Sequence, residues 1–179
     1  MDLTLRPFEP ADLEAVFALV ARTIEISYAG VYERSAIDHF HEHHTREEIR
    51  LGAGRGWTVL LEGADGLLAT GTLVADNVDR MYVAPEHQGR GLGRRVLAAL
   101  EQRAVETGVR TVRLAASLPS RAFYEYLGYR LVSQECREFD DGARLPWFRM
   151  EKDLEAFGPG RGPTAAPGPR NPGMAWLGG

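Results

Sequence analysis

The chain has 179 residues, 44% hydrophobic and 26% charged, with a formal net charge of −4 at pH 7. That suits one ordinary globular domain and argues against broad nucleic-acid binding. No apolar run nears the roughly 18 residues of a membrane span, Met1 to Pro10 lacks the order of a signal peptide, and the lone Cys136 excludes an internal disulfide framework or a multi-cysteine zinc site, so a soluble cytoplasmic protein without a membrane partner is expected.

The alternating stretch from Leu3 to Pro7 predicts a short strand. Glu9-Pro10-Ala11-Asp12 has the proline and acids of a helix start. Leu13, Val16, Phe17 and Val20 then repeat at helical spacing. A second helix is expected over 35–50, broken by Gly52-Ala-Gly-Arg-Gly56. Strands follow over 57–61 and 67–74, joined by a hairpin turn at Gly63-Ala-Asp-Gly66. Another strand covers 78–83 and ends at Pro85. A strong helix is expected over 91–107, with Leu92, Val96, Leu97, Leu100 and Ala104 as its buried stripe and Gly108 after its end. Residues 111–115 read as a buried strand, 117–127 as a short helix, and 129–138 and 146–153 as a last pair of strands.

Gly and Pro make up 30 of the 179 residues, above the usual share of roughly one in eight. Five of the ten prolines and seven of the twenty glycines fall in 158–179. Such a segment cannot bury enough apolar area to offset its ordering entropy. The expected organisation is therefore one domain over 1–157 and a disordered tail over 158–179.

The chemical signal lies in Met81-Tyr-Val-Ala-Pro-Glu-His-Gln88-Gly-Arg-Gly-Leu-Gly93-Arg-Arg-Val. A strand runs into Gly89, Gly91 and Gly93 and then into a helix. The first N–H groups of a helix lack partners and carry partial positive charge. Glycines let a bulky anion approach them, which suits a phosphate or pyrophosphate. The spacing is not the G-x-G-x-x-G of a dinucleotide fold, and a P-loop needs a lysine here. Lys152 is the only lysine, so phosphate binding must use arginine or backbone. Arg90, Arg94 and Arg95 crowd the start of the helix, while Glu101 and Glu106 lie towards its end. That order opposes the helix dipole, and a bound anion relieves it. The alternative is a tight turn with solvated arginines.

These residues resemble the GNAT superfamily of acetyl-CoA-dependent N-acetyltransferases. Gln88, Gly91 and Gly93 fill its Gln/Arg-x-x-Gly-x-Gly/Ala motif, with Val83 and Pro85 at the usual spacing upstream. A second family signal is matched by Ser117-Leu-Pro-Ser-Arg-Ala-Phe-Tyr124-Glu-Tyr-Leu-Gly-Tyr129, and the opening Leu-Arg-Pro-Phe-Glu-Pro-Ala-Asp is also typical. The match in element order spans about residues 3–153. The resemblance implies a mixed α/β fold, with a mostly antiparallel sheet, one splayed parallel strand pair, and flanking helices. It puts Met81, Tyr82 and Val83 beside the pantetheine arm of acetyl-CoA, and Gln88, Gly89, Arg90, Gly91, Leu92, Gly93 and Arg94 around its pyrophosphate. Ser117, where relatives often have Asn, keeps one polar contact, and the Tyr124 hydroxyl falls near the cofactor sulfur.

An amine can attack a thioester directly, so no protein nucleophile is needed. An N–H such as that of Val83 stabilises charge on the carbonyl oxygen. Tyr124, protonated at neutral pH, suits a general acid for the leaving thiolate. The expected function is acetyl transfer to a primary amine of a small molecule, peptide or protein. The alternatives are a non-catalytic acyl-CoA-binding module and transfer of another acyl group. Ribosomal-protein acetyltransferases of the superfamily carry a glutamate at the position of Val112, which argues against that substrate. Asp79, Glu86, Glu25 and Glu33 are candidates for the base, each more simply a solvated charge. Relatives commonly form homodimers, so a homodimer is an option.

His39, His41, His43 and His44 crowd one segment. His39 and His43 have a metal-binding spacing, but no cysteine or H-E-x-x-H joins them. An exposed or partner-facing helix without metal is expected. Cys136 is expected to be a buried, inert thiol. Tyr28, Tyr32, Trp57, Tyr126 and Trp147 are candidates for an aromatic acceptor wall.

Overall fold

The computed structural model describes residues 2–154, so the expected tail and domain boundary lie outside it. The order is β1 (Thr4–Pro7), a 3-10 turn (Pro10–Asp12), α1 (Leu13–Tyr28), α2 (Arg34–Glu42), α3 (Arg46–Arg55), β2 (Trp57–Gly63), β3 (Gly66–Val74) and β4 (Asn77–Val83). A second 3-10 turn (Pro85–His87) leads to α4 (Leu92–Glu106) and β5 (Thr111–Ser117). A third 3-10 turn (Leu118–Ser120), α5 (Arg121–Tyr126), β6 (Arg130–Glu138) and β7 (Arg144–Asp153) complete it.

The seven strands form one sheet in the order β1-β2-β3-β4-β5-β7-β6. Every pair is antiparallel except β4 with β5, so the expected mixed fold with one parallel pair is what forms. That parallel pair holds only at Asn77↔Arg113 and Val78↔Leu114. Beyond these residues the two strands part. Residues 79–83 and 115–117 then face one another across a fork.

The apolar stripe of α4 explains one face. Val96, Leu97, Leu100 and Ala104 are buried with Val59, Leu61, Val83, Val112 and Met150. Fully burying a leucine of this kind contributes about 1.5–3 kcal/mol. Gly71 permits the close approach of helix and sheet. A Cβ there would lie 2.6 Å from Met81 Sδ and 2.8 Å from both Leu100 Cδ1 and Val96 Cγ1. On the other face, α1, α2 and α3 bury Val20, Ile24, Tyr28, Phe40 and Ile49 against Leu60 and Tyr82.

Several sequence expectations change. The helix expected over 35–50 is two helices, because Thr45 accepts from the Glu48 N–H at 3.2 Å and caps a fresh start. Gly52 and Gly54 do not break α3, which runs to Arg55 with Gly56 after it. Gly52 is small where the Arg80 guanidinium passes, in the space that a Cβ would fill. Cys136 is exposed, because β6 is an edge strand with solvent on both faces. The histidine segment is not an exposed face, since His39 and His44 are buried.

Candidate active site

The fork sits where β4 ends under α1. Ala84 donates its N–H to Leu68 O at 2.8 Å, across to β3. Alternation along an extended strand then turns the Val83 N–H, and that of Met81 before it, towards the fork. The side chains of Met81 and Val83 are buried on the α4 face, and that of Tyr82 on the α1 face. Between Thr70↔Tyr82 and Thr72↔Asp79 the register shifts by one extra residue on β4. Arg80, at φ +50, takes up that bulge in a left-handed conformation. The bulge bends the strand just before the fork.

The Val83 carbonyl does not face open space. Gln88 Nε2 donates to it at 3.1 Å and to Ser27 Oγ at 3.0 Å. Gln88 therefore ties the glycine loop to β4 and α1 with its side chain turned inward. Gly89 (φ +76) and Gly91 (φ +78) are both left-handed, which favours glycine. Gly91 is the cap residue of α4, and no side chain caps that helix. The Leu92, Gly93 and Arg94 N–H groups occupy the first turn, where a helix offers no acceptor of its own. Leu92 and Gly93 are buried, Arg94 is half-buried, and Arg90 is exposed with Nη1 3.4 Å from His87 Nδ1. No acid stands in this first turn. The loop thus offers backbone donors, a dipole end and arginines at one place, a setting for a polyanion.

Tyr124 lies on α5, the short helix that follows β5. Its ring packs on Tyr129 and Phe123 at centroid distances of 5.3 and 5.1 Å. Its hydroxyl is buried with no hydrogen-bond partner among the described residues. Burial pushes its pKa well above the ordinary tyrosine value, and Tyr28 and Glu101 push the same way. An orphaned buried hydroxyl costs about 1–3 kcal/mol, so the site gains by giving it a partner. Ser117 is buried at the end of β5, and its Oγ lies 2.7 Å from Ser120 Oγ. The structure thus turns it to a local partner. Tyr32 accepts the Leu118 N–H at 2.7 Å, which fixes the segment after Ser117.

The candidate bases are held in ion pairs, with one exception. Glu86 meets Arg22 at 2.7 and 2.9 Å, and Glu25 meets both Arg34 and His41. Those hydrogen bonds lower both carboxyl pKa values. Asp79 accepts from Arg80 Nη1 at 2.9 Å, yet its pKa is raised, chiefly by burial. Glu33 is exposed at the cap position of α2.

Of the five aromatics, Tyr28, Tyr32 and Trp147 gather in the cluster on the α1 face. Trp57 packs on the other cluster, and Tyr126 is exposed. Sequence reading missed Phe40, which stands 4.6 Å from Tyr28 and 5.5 Å from Tyr32 between ring centroids. The role of His44, one of four crowded histidines in the sequence, comes only from the fold. The His44 Nδ1–H donates to Phe40 O at 2.7 Å, which leaves Nε2 to accept from the Tyr82 hydroxyl at 3.3 Å. Burial, reinforced by Arg80, pushes the His44 pKa down to about 3. The imidazole is therefore neutral, and this pairing anchors Tyr82 next to Val83.

Comparison with known proteins follows the same outline. The family model described as an acetyltransferase (GNAT) domain matches residues 24–154. A search of curated proteins finds none that matches. Among solved structures, a GCN5-related N-acetyltransferase from Rhodopseudomonas palustris superposes with a TM-score of 0.75 at 22% identity, over 86% of this chain and 96% of that one. The PaiA N-acetyltransferase of Thermoplasma acidophilum in complex with coenzyme A gives 0.67 at 20% identity, over 86% and 99%. The ribosomal-protein-S18-alanine N-acetyltransferase of Escherichia coli gives 0.65 at 21% identity, over 88% and 97%. At these identities the likeness is one of fold.

Proposed function

Since the chain belongs to the GNAT acetyltransferase family and is an acyltransferase, we propose that it moves an acetyl group from acetyl-CoA to a primary amine. The transfer is direct, from thioester to amine, and the whole site lies in a domain over residues 1–157. The observation that carries this reading is the Tyr124 hydroxyl, buried and without a partner among the described residues. The residues present fit the proposed co-substrate. A pyrophosphate suits the uncapped start of α4 at Gly91, with Gly89, Arg90, Leu92, Gly93 and Arg94 around it. A pantetheine arm suits the edge of β4 at Met81, Tyr82 and Val83, where the strand has lost its neighbour.

Acetyl-CoA supplies an activated acyl carbon and a thiol leaving group. The amine forms the new C–N bond as the C–S bond breaks, and the nitrogen releases one proton to solvent, which balances the proton that Tyr124 gives to the sulfur and then regains from solvent. The Val83 N–H is the donor for the carbonyl oxygen, where negative charge develops. Tyr124 donates its proton to the departing sulfur, and its raised pKa keeps that proton on the hydroxyl at neutral pH. Gln88 holds the loop against β4 rather than touching phosphate with its amide. Ser117 fixes the start of the segment that carries Tyr124.

Val112 is fully buried in the core, so the position that would hold a glutamate in ribosomal-protein acetyltransferases has no polar group here. The acceptor is therefore read as another amine, of a small molecule, peptide or protein, approaching on the α1 side of the sheet. Thiol release from acetyl-CoA across a panel of aryl, alkyl and peptide amines tests the reading. Turnover on at least one amine supports it. Coenzyme A binding by calorimetry with no turnover on any amine would instead indicate a non-catalytic acyl-CoA module.

A further inference from the structure

The C-terminal end of α2 brings together three groups that the acetyl-transfer site does not use. His39, Glu42 and His43 each offer a ligand atom, and these atoms lie within 4.8 Å of one another. The three stand at i, i+3 and i+4, one face of one helical turn. His39 Nδ1 is 3.5 Å from Glu42 Oε2, and the two imidazole rings lie 4.1 Å apart between centroids. The histidine spacing is visible in the sequence; the carboxylate that completes it is identified by the fold.

The rings are also oriented. A carbonyl oxygen only accepts, so the contact of His43 Nδ1 with His39 O at 2.9 Å makes Nδ1 the donor. Nε2 of His43 then carries the lone pair. A ligating histidine characteristically gives its other N–H to a carbonyl or carboxylate in this way. His39 is only 6% exposed and packs edge-on against Phe139 at 5.6 Å.

We propose that His39, Glu42 and His43 form a binding site for a divalent transition-metal ion of the zinc class, with water in the fourth position. Two imidazoles and one carboxylate are a donor set that zinc accepts in tetrahedral geometry. Ligand atoms of such a site stand at about 2.0–2.2 Å from the ion. The exposed Glu42 side chain has the freedom to close that distance. Arg137 is the charge that opposes the ion, since its guanidinium acts on His39 and packs over Phe139 at 5.3 Å. His41 faces away, paired with Glu25 at 2.7 Å, and His44 is turned inward to Tyr82.

The consequence is structural. An ion held at these positions clips the last turn of α2, and the next residue is His44, which holds the Tyr82 hydroxyl. Metal would thus stiffen the wall of the proposed acceptor side without entering the reaction.

The test uses the full chain, free of any affinity tag, titrated with Zn²⁺ by calorimetry and with Co²⁺ by visible absorption. The expected result is one equivalent bound, a tetrahedral Co²⁺ spectrum, and a raised thermal midpoint with Zn²⁺. Glu42→Gln and His43→Gln each remove a direct ligand and should weaken binding by at least about 10–100-fold, the loss that disturbing an outer-shell partner alone produces. Glu42 is exposed, so its variant should remain folded. His41→Gln should bind as the parent does. Absence of stoichiometric binding, unchanged binding in both ligand variants, or equal loss in His41→Gln overturns the proposal.

Discussion

The Gln88 side-chain amide donates to the Val83 carbonyl oxygen at 3.1 Å, so one side chain fastens the glycine loop to the last residue of β4. The same nitrogen reaches Ser27 Oγ at 3.0 Å and adds α1 to the joint. Two parts of the proposed acetyl-CoA site, the phosphate loop and the thioester edge, are held in register by this contact. Gln88→Leu removes both hydrogen bonds and leaves a buried carbonyl with less support. At about 0.5–1.5 kcal/mol per bond, about 1–3 kcal/mol for the two, KM for acetyl-CoA should rise by roughly fivefold to 100-fold in initial-rate kinetics. An unchanged KM would show that the loop holds its place by itself.

Gly91 separates conformational cost from crowding. It is left-handed at φ +78, and an added Cβ there meets nothing within 4 Å. Gly91→Ala should therefore lose about 1–2 kcal/mol of stability through backbone strain alone, read as a lower urea midpoint. Coenzyme A should also bind more weakly, because the helix start shifts away from its anion-binding geometry.

Gly71 presents the opposite case. Its backbone is unremarkable, but the space above it is filled by Met81, Val96 and Leu100. Gly71→Ala forces α4 off the sheet, and overpacking of this kind costs about 1–3 kcal/mol. Because α4 carries the proposed phosphate loop, both urea stability and coenzyme A affinity should fall. Full stability in this variant would contradict the packing described.

Three buried tyrosines set the alkaline limit of the fold. Burial raises the pKa of Tyr82, Tyr124 and Tyr129 above the ordinary value of about 10. Above that pH the unfolded chain releases phenolic protons that the folded chain keeps. Their contribution is complete below pH ~10 and is lost as pH rises towards the folded values, by up to ~1.4 kcal/mol per pH unit for each tyrosine. Urea midpoints should be level from about pH 8 to about pH 9 and fall steeply near pH 11. Tyr129→Phe, which also gives up its 2.9 Å bond to Glu101, should show a shallower fall.

The α4 stripe was legible in the sequence because it has one buried face and a clean helical period, and the central strands were legible as short apolar runs between turn signals, since both their faces are covered. The glycine loop was legible because its residue types answer a local demand: Gly89 and Gly91 are left-handed and Gly93 is buried in the first turn. What escaped depends on long-range partners. Nothing local marks Arg80 as a bulge, since its conformation is set by the β3 register and by the room above Gly52. The histidines read as surface because polar residues surround them, yet α2 turns His39 to Phe139 and delivers His44 to Tyr82. Cys136 read as core because strand residues usually are, whereas β6 is an outer strand with Leu131 and Val132 also exposed. The inward turn of Gln88 could not be foreseen, because Ser27 and Val83 meet it only in the fold.

The central claim is that Tyr124 supplies the proton to the leaving thiolate, and Tyr124→Phe tests it most directly. The hydroxyl has no hydrogen-bond partner among the described residues, so its removal leaves no group of the fold unpaired and should not lower stability. On an amine that turns over, kcat for thiol release should fall by about 10²-fold or more, within the range of general acid catalysis. The coenzyme A Kd should stay within a few-fold of the parent. A variant that binds coenzyme A and turns over at the parental rate would contradict the assignment.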